Sequence, residues 1–118
     1  IRTLLDRHPG LTVIAAHLGG WNAWEEVSRF LAGSPCYLDT SFVHEVPPAL
    51  RDRIIARHGT DRLLFATDSP WLRQNEQVAE VRGLGFGQDE LERVFSTNAL
   101  SILERHGHKP EYGRVPGS

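Results

Sequence analysis

A histidine and an aspartate occupy matching places in this sequence. His17 ends the apolar run Leu11–Ala16, and Asp68 ends the run Arg62–Thr67. An imidazole and a carboxylate that enter one cleft can bind a divalent metal ion or act as general acid and base. Each also has a simpler explanation, since such a histidine is often a hydrogen-bonded structural residue and such an aspartate often caps the next helix. Spacing by itself leaves both interpretations open.

Two further features accompany this pair. A third apolar run begins at Cys36 and ends in the polar residues Asp39, Thr40 and Ser41. Asp39 is therefore either a site residue or an ordinary loop residue, and the sequence does not decide between them. The two glycines that follow His17 allow the backbone to turn sharply and leave the site open.

The three apolar runs predict strands that are buried on both faces of a parallel sheet, because they do not alternate with polar residues. Helical patterns separate the runs, which predicts an α/β fold of repeated βαβ units with right-handed crossovers. A doubly wound sheet and a (β/α)8 barrel both fit. In either fold the C-terminal strand ends share one edge, so we predict His17 and Asp68 there and His58 and His106 elsewhere.

The predicted helices rest on local signals. Asn22 and Glu25 match a capping box, after which Val27, Phe30 and Leu31 trace one apolar face. A second helix opens at Pro47-Pro48, a third spans about residues 75–81, and two more span 88–95 and 98–105, the last with Thr97 as N-cap. Residues 1–106 form the predicted domain and residues 107–118 a loose tail.

Composition narrows the functional class. With 118 residues and a net charge of −2, the chain has room for one domain and no basic surface for nucleic acid. No apolar run is long enough to span a membrane. The single cysteine, Cys36, predicts a buried structural thiol and a cytoplasmic setting. The chain has no methionine and begins inside an apparent amphipathic helix, so we predict that it is a fragment of a longer parent.

Four motifs resemble those of the amidohydrolase-related family, in matching order over about residues 1–106. Val13–Gly20 resembles the sixth-strand AHLGG motif and Gly59–Trp71 the eighth-strand G.DRLLFGSD.P motif, and these two are specific. Tyr37–Ser41 and Val94–Leu103 are similar to the seventh strand and the closing helix, and they support the match. The resemblance implies the C-terminal part of a (β/α)8 TIM barrel, about strands 6–8 with their helices.

The resemblance also implies roles for individual residues. Asp68 matches the eighth-strand aspartate, which binds the catalytic metal and handles the proton of its water. His17 matches the sixth-strand histidine, which binds a metal or acts as acid, base or oxyanion partner in different members. Ser69 and Trp71 would line the substrate pocket, although packing explains Trp71 equally well. A divalent metal cofactor, zinc before manganese, and a small-molecule substrate are implied with them.

The sequence departs from the family in one large respect. It lacks the first-strand His-x-His pair, the fourth-strand lysine or glutamate and the fifth-strand histidine. None of the remaining histidines stands at a strand end in a matching motif, and His44 comes nearest, in a loop that follows a strand. Two donors fall short of the three or more that hold a catalytic zinc. We therefore expect the 118-residue chain by itself to hold no tight metal and to be inactive.

Three functions remain open at this point. The first is a metal-dependent hydrolase that acts on a C–O or C–N bond, and the second is a decarboxylase of the same superfamily. The third is a truncated, non-enzymatic product, whose open strand edges and uncovered sheet face would favour oligomerisation or aggregation. A phosphate-binding loop has almost no support, because the glycines of Gly83–Gly87 follow a helix and not a strand and therefore indicate a turn.

Overall fold

A parallel three-stranded sheet forms the centre of the computed structural model, which describes residues 1–108. The strands lie in chain order, with the second in the middle. Ile14 pairs with Tyr37, and Leu38 pairs with Leu63, so the predicted parallel pairing of neighbours is confirmed. The strands are β1 (Ile14–Ala15), β2 (Tyr37–Asp39) and β3 (Leu63–Leu64).

Helices follow each strand and also open and close the described chain. The predicted second helix is confirmed, since it begins at a proline and buries Leu50 and Ile54. The predicted loose tail lies outside the described residues from position 109 onward. None of the helices in residues 1–108 is long and apolar enough to cross a membrane. The α-helices are α1 (Arg2–Arg7), α2 (Trp24–Glu26), α3 (Pro48–His58), α4 (Gln74–Arg82), α5 (Gln88–Glu92) and α6 (Asn98–Arg105).

The strands are shorter than the apolar runs that predict them. Hydrogen bonds nevertheless extend beyond the paired residues, from the Tyr37 amide to the Val13 carbonyl and from the Leu18 amide to the Asp39 carbonyl. The prediction that every run is buried on both faces is wrong for β1, where Ile14 is 51% exposed. β1 is an edge strand of this sheet, and nothing within residues 1–108 covers the face on which Ile14 lies.

A single hydrophobic core lies between the sheet and the helices. Cys36 is fully buried within it as a free thiol, as predicted for a structural cysteine. Asn98, at the start of α6, is also buried, and its amide donates hydrogen bonds to the carbonyls of Thr60 and Leu63. These bonds tie the closing helix to the start of β3. The core residues that are almost wholly buried include Leu18, Leu38, Ile54, Leu63, Val81 and Val94.

Two helix predictions are wrong, and in both places a π-helical turn follows the α-helix. Ala23, and not Asn22, is the residue before α2, and it makes no side-chain cap. The turn Val27–Leu31 that follows α2 is π-helical, with the Ala32 amide bonded to the Val27 carbonyl at 2.8 Å. The wider turn keeps residue i+4 over residue i but rotates residue i+3 away. Val27 and Leu31 are consequently buried, while Phe30 is 60% exposed.

The predicted helix start at Thr97 is wrong for the same reason. A π-helical turn, Arg93–Thr97, joins α5 to α6 without a break. Thr97 has helical dihedral angles, and its hydroxyl bonds to the carbonyl of Glu92 instead of capping α6. The Val94 carbonyl in this turn accepts a hydrogen bond from the Phe65 amide. The continuous helix therefore supports the strand end that leads to Asp68.

Candidate active site

His17 lies in a tight turn directly after β1. His17, Leu18 and Gly19 all have positive φ angles, of 58°, 50° and 99°, a region that L-residues other than glycine rarely adopt. Leu18 is fully buried, which anchors the turn in the core. A Cβ at Gly19 would lie 2.9 Å from a Val27 methyl carbon and 3.1 Å from a Leu31 methyl carbon. Glycine is therefore required here by both conformation and space.

Asp39, at the end of β2, holds the His17 turn from the neighbouring strand. Its Oδ1 accepts hydrogen bonds from the His17 amide at 3.0 Å, the Ser41 amide at 3.0 Å and the Ser41 hydroxyl at 2.5 Å. Its carbonyl accepts from the Leu18 amide at 2.8 Å. Asp39 therefore holds the His17 turn in place, and it is not an ordinary loop residue.

The His17 ring is held on several sides. Its Nδ1 lies 2.8 Å from the Ser41 hydroxyl, and the ring of Phe42 meets it edge-on at a centroid distance of 5.0 Å. The Trp24 indole donates to the His17 carbonyl at 2.9 Å. Ser41, which the sequence did not single out, is therefore the direct partner of the imidazole.

Asp68 follows β3 in a second turn with positive φ, at 55°. Its Oδ2 lies 3.9 Å from Nε2 of His17, and the two side chains are 38% and 31% exposed. The backbone carbonyl of Asp68 accepts from the Trp71 amide at 3.0 Å. The structure thus brings the two predicted site residues together at the C-terminal edge of the sheet.

Ser69 and Trp71 share the loop of Asp68. The Ser69 amide donates to the Thr67 hydroxyl at 3.3 Å. Trp71 is 79% exposed, so within the described chain it is not the packing residue that the alternative explanation required. Both residues follow Asp68 in the sequence, and their place in a substrate pocket stays a prediction.

Two other histidines lie at the opposite edge, as expected. His58 is buried at the end of α3, and its Nδ1 accepts from the amide of Gly33, which precedes β2. Burial, together with the positive charge of Arg62, lowers the pKa of His58 below its usual value. His106 lies 3.0 Å from the hydroxyl of Thr12, which precedes β1. Neither ring is near Asp68.

His44 is the remaining histidine near the site, though at one remove. It is exposed and stacks on Phe42 at a centroid distance of 6.1 Å. Its location in the loop after β2 agrees with the sequence, but the described structure records no contact between it and either His17 or Asp68.

The donor set fits part of a metal site. Two ligands of one tetrahedral ion, each about 2.1 Å from it, lie about 3.4 Å apart, which is close to the 3.9 Å between Nε2 of His17 and Oδ2 of Asp68. No group of three or more histidine, cysteine, aspartate or glutamate side chains suited to a metal occurs within residues 1–108. The pair therefore suits a divalent ion by atom type and separation but does not complete its coordination.

Solved structures share this fold. A dihydroxybenzoic acid decarboxylase from Polaromonas sp. JS666, with bound manganese and the inhibitor 2-nitroresorcinol, matches with a TM-score of 0.68 at 19% identity, over 87% of this chain and 36% of that one. The 2,6-dihydroxybenzoate decarboxylase from Rhizobium gives 0.66 at 20% identity, over 88% and 38%. The 5-carboxyvanillate decarboxylase from Sphingomonas paucimobilis gives 0.62 at 21%, over 86% and 36%.

The similarity to these structures establishes the fold as part of a (β/α)8 barrel. The chain is only a part of one, because it spans well under half the length of each of these proteins. No curated protein matches the sequence. The family model described as amidohydrolase matches residues 1–105, which is nearly the whole chain. This chain belongs to the amidohydrolase family.

Proposed function

We propose that this chain contributes Asp68 and His17 to the active site of a metal-dependent enzyme that acts on a small molecule. The proposal rests on the 3.9 Å approach of the two side chains at the C-terminal edge of a parallel sheet. Both remain about one third exposed, so a substrate can reach them. The longer parent enzyme, which supplies the other barrel strands, is the active species in this proposal.

The parent enzyme would hold a divalent ion through Oδ2 of Asp68 and Nε2 of His17, with further donors from elsewhere in the parent. Such an ion polarises a substrate carbonyl or carboxylate and lowers the pKa of bound water. Manganese is bound in the decarboxylase from Polaromonas sp. JS666, so manganese stands beside zinc as the ion to test.

Hydrolysis is the first candidate reaction, and membership of the amidohydrolase family supports it. In this reaction water attacks a substrate carbonyl carbon and the bond from that carbon to oxygen or nitrogen breaks. Asp68 takes a proton from the attacking water and passes it to the leaving group. His17 takes the other role, since its Nε2 atom, 3.9 Å from Oδ2 of Asp68, would help to hold the metal ion beside that carboxylate.

Decarboxylation is the second candidate, favoured by the reactions named for the similar structures. The bond between the substrate's carboxylate and its ring carbon breaks, carbon dioxide leaves, and the electron pair stays on the carbon. That carbon then takes a proton from water, which Asp68 accepts and passes on to the carbon. The exposed indole of Trp71, three residues after Asp68, suits a planar aromatic acid.

The test uses the parent enzyme loaded in turn with zinc and manganese. Carbon dioxide release from dihydroxybenzoates is measured beside hydrolysis of simple esters, lactones and amides. Metal-dependent turnover of either kind supports the proposal and identifies the reaction. No turnover of any kind, together with no bound metal, would refute it. The 118-residue chain, dialysed against the same ions, is the control and should retain no stoichiometric metal.

A further inference from the structure

The contacts around His17 define where its ring proton lies. Ser41 Oγ has one proton. The His17 amide donates to this oxygen at 3.3 Å, and two closer partners are the Asp39 carboxylate at 2.5 Å and Nδ1 of His17 at 2.8 Å. An ionised carboxylate only accepts hydrogen bonds, whereas a neutral imidazole nitrogen either donates or accepts. If Ser41 donated to Nδ1, two oxygens with no proton between them would lie 2.5 Å apart. The Ser41 proton therefore points to Asp39.

We propose that Asp39 and Ser41 are positioning residues, which keep the His17 ring proton on Nδ1 and leave the Nε2 lone pair facing Asp68. Because the Ser41 hydroxyl donates its proton to Asp39, the Ser41 oxygen accepts a hydrogen bond from Nδ1 of His17. A neutral imidazole with its proton on Nδ1 has an unprotonated Nε2. That atom is the one that lies 3.9 Å from Oδ2 of Asp68.

The same two residues also restrict the orientation of the ring. The Asp39 carboxylate is anchored by the amides of His17 and Ser41, both at 3.0 Å. Ser41 is 2% exposed, so water does not compete for its hydroxyl. A hydrogen bond to the second ring nitrogen is how proteins commonly orient a histidine that binds a metal through the first. These hydrogen bonds connect the turn that follows β1 to the C-terminal end of β2.

The direct test reads the tautomer and does not depend on activity. The 118-residue chain with 15N-labelled histidine is studied by NMR at about pH 8, above the usual pKa of histidine. We expect His17 to show a protonated Nδ1 and an unprotonated Nε2. In Ser41→Ala the ring should shift toward the Nε2-protonated tautomer, which free imidazole groups prefer in water. Ser41→Thr, which keeps the hydroxyl, should retain the native pattern.

Ser34→Ala is the matched control, since Ser34 is as deeply buried as Ser41 but precedes β2. It should leave the His17 signals unchanged. Should Ser41→Ala fail to fold, Asp39→Asn gives a second reading, because an amide there weakens the acceptor for the Ser41 hydroxyl. An Nε2-protonated His17 in the unmodified chain would overturn the inference, whatever the variants show.

The consequence for the active site rests on the proposed function and is tested separately. In the parent enzyme, Ser41→Ala should lower metal affinity or turnover by about 10- to 100-fold, and Ser41→Thr should restore most of it. If the tautomer is as expected but the parent binds no metal, the proposed function fails and the positioning role stands. If metal affinity and turnover are both unchanged in Ser41→Ala, the tautomer of His17 has no part in the activity, and this consequence of the positioning role is refuted.

Discussion

The turns that carry His17 and Asp68 are built differently, although both follow parallel strands and both have positive φ. The backbone amide, the ring and the carbonyl of His17 are each hydrogen-bonded to a side chain, those of Asp39, Ser41 and Trp24 respectively. The Asp68 carboxylate, by contrast, has no side-chain hydrogen bond within the described residues, and its ion pair there is with His17, at 3.9 Å.

The contrast shows which half of the site is organised in advance. The histidine is oriented by residues of this chain, so its direction does not depend on a ligand. The carboxylate is available to accept bonds, which suits a group that binds a metal ion and exchanges protons with a substrate. Substitutions at the two positions should therefore fail in different ways, with activity most affected at Asp68 and stability most affected around His17.

The largest effect is expected for Asp68→Asn in the parent enzyme. The amide is nearly isosteric but lacks the charge that holds the metal and the basicity that accepts a proton. Turnover should fall by about 100-fold or more, while the thermal midpoint stays within the error of the unmodified enzyme, because the carboxylate makes few protein contacts. Steady-state kinetics and metal analysis measure the effect. Normal turnover with unchanged metal content would remove Asp68 from the mechanism.

His17→Ala should also lower turnover severely, but its effects on metal content and on stability should differ from those of Asp68→Asn. We expect more residual metal than in Asp68→Asn, because the strand-end carboxylate stays in place. The loss of the ring also removes the Nδ1–H group that donates to the Ser41 oxygen, so the free energy of unfolding should fall by about 1–2 kcal/mol. Metal analysis and denaturant unfolding of both variants measure these two differences. Equal stability losses at the two positions would refute the contrast between the turns.

A smaller effect, purely on the His17 turn, is expected from Gly19→Ala. The new Cβ would meet Val27 at 2.9 Å in a backbone conformation with φ of 99°. We expect a loss of about 1–3 kcal/mol in the free energy of unfolding. Gly85→Ala is the matched control, since Gly85 has φ of 88° but nothing lies within 4 Å of its Cβ position. Equal losses in the two variants would show that the crowding beside His17 is relieved without cost.

The parts of this architecture that can be predicted are those that depend on a few consecutive residues. The apolar runs and their polar ends indicate a parallel sheet with His17 and Asp68 at one edge, because strand burial and strand ends are properties of a few consecutive residues. The predictions for Phe30 and Thr97 are wrong, since both residues lie in π-helical turns, which depend on packing and not on a local sequence pattern.

The role of Ser41 was missed for a related reason. Its contact with the His17 ring spans 24 positions in the sequence and depends on the register in which β1 and β2 pair. A polar residue two places after a strand-end aspartate was the available signal. It becomes informative only once the two strands are known to be neighbours.

The smallest effect concerns His58, at the opposite edge from the site, and it checks that pH dependence there is separate from the chemistry. Burial and the charge of Arg62 lower its pKa in the folded chain, while in the unfolded chain the value is about 6.5. As pH falls below about 6.5, the unfolded state therefore binds the proton more readily, and stability decreases until the pH passes the lower, folded value. The slope cannot exceed about 1.4 kcal/mol per pH unit for one proton.

His58→Asn supplies the comparison, because its side-chain oxygen can accept the bond from the Gly33 amide without titrating in this range. Denaturant unfolding of the 118-residue chain at pH 8 and at pH values below about 6.5 measures both proteins. The unmodified chain should lose more stability than the variant as the pH falls. Parallel curves would show that His58 takes up its proton as easily in the folded state as in the unfolded one.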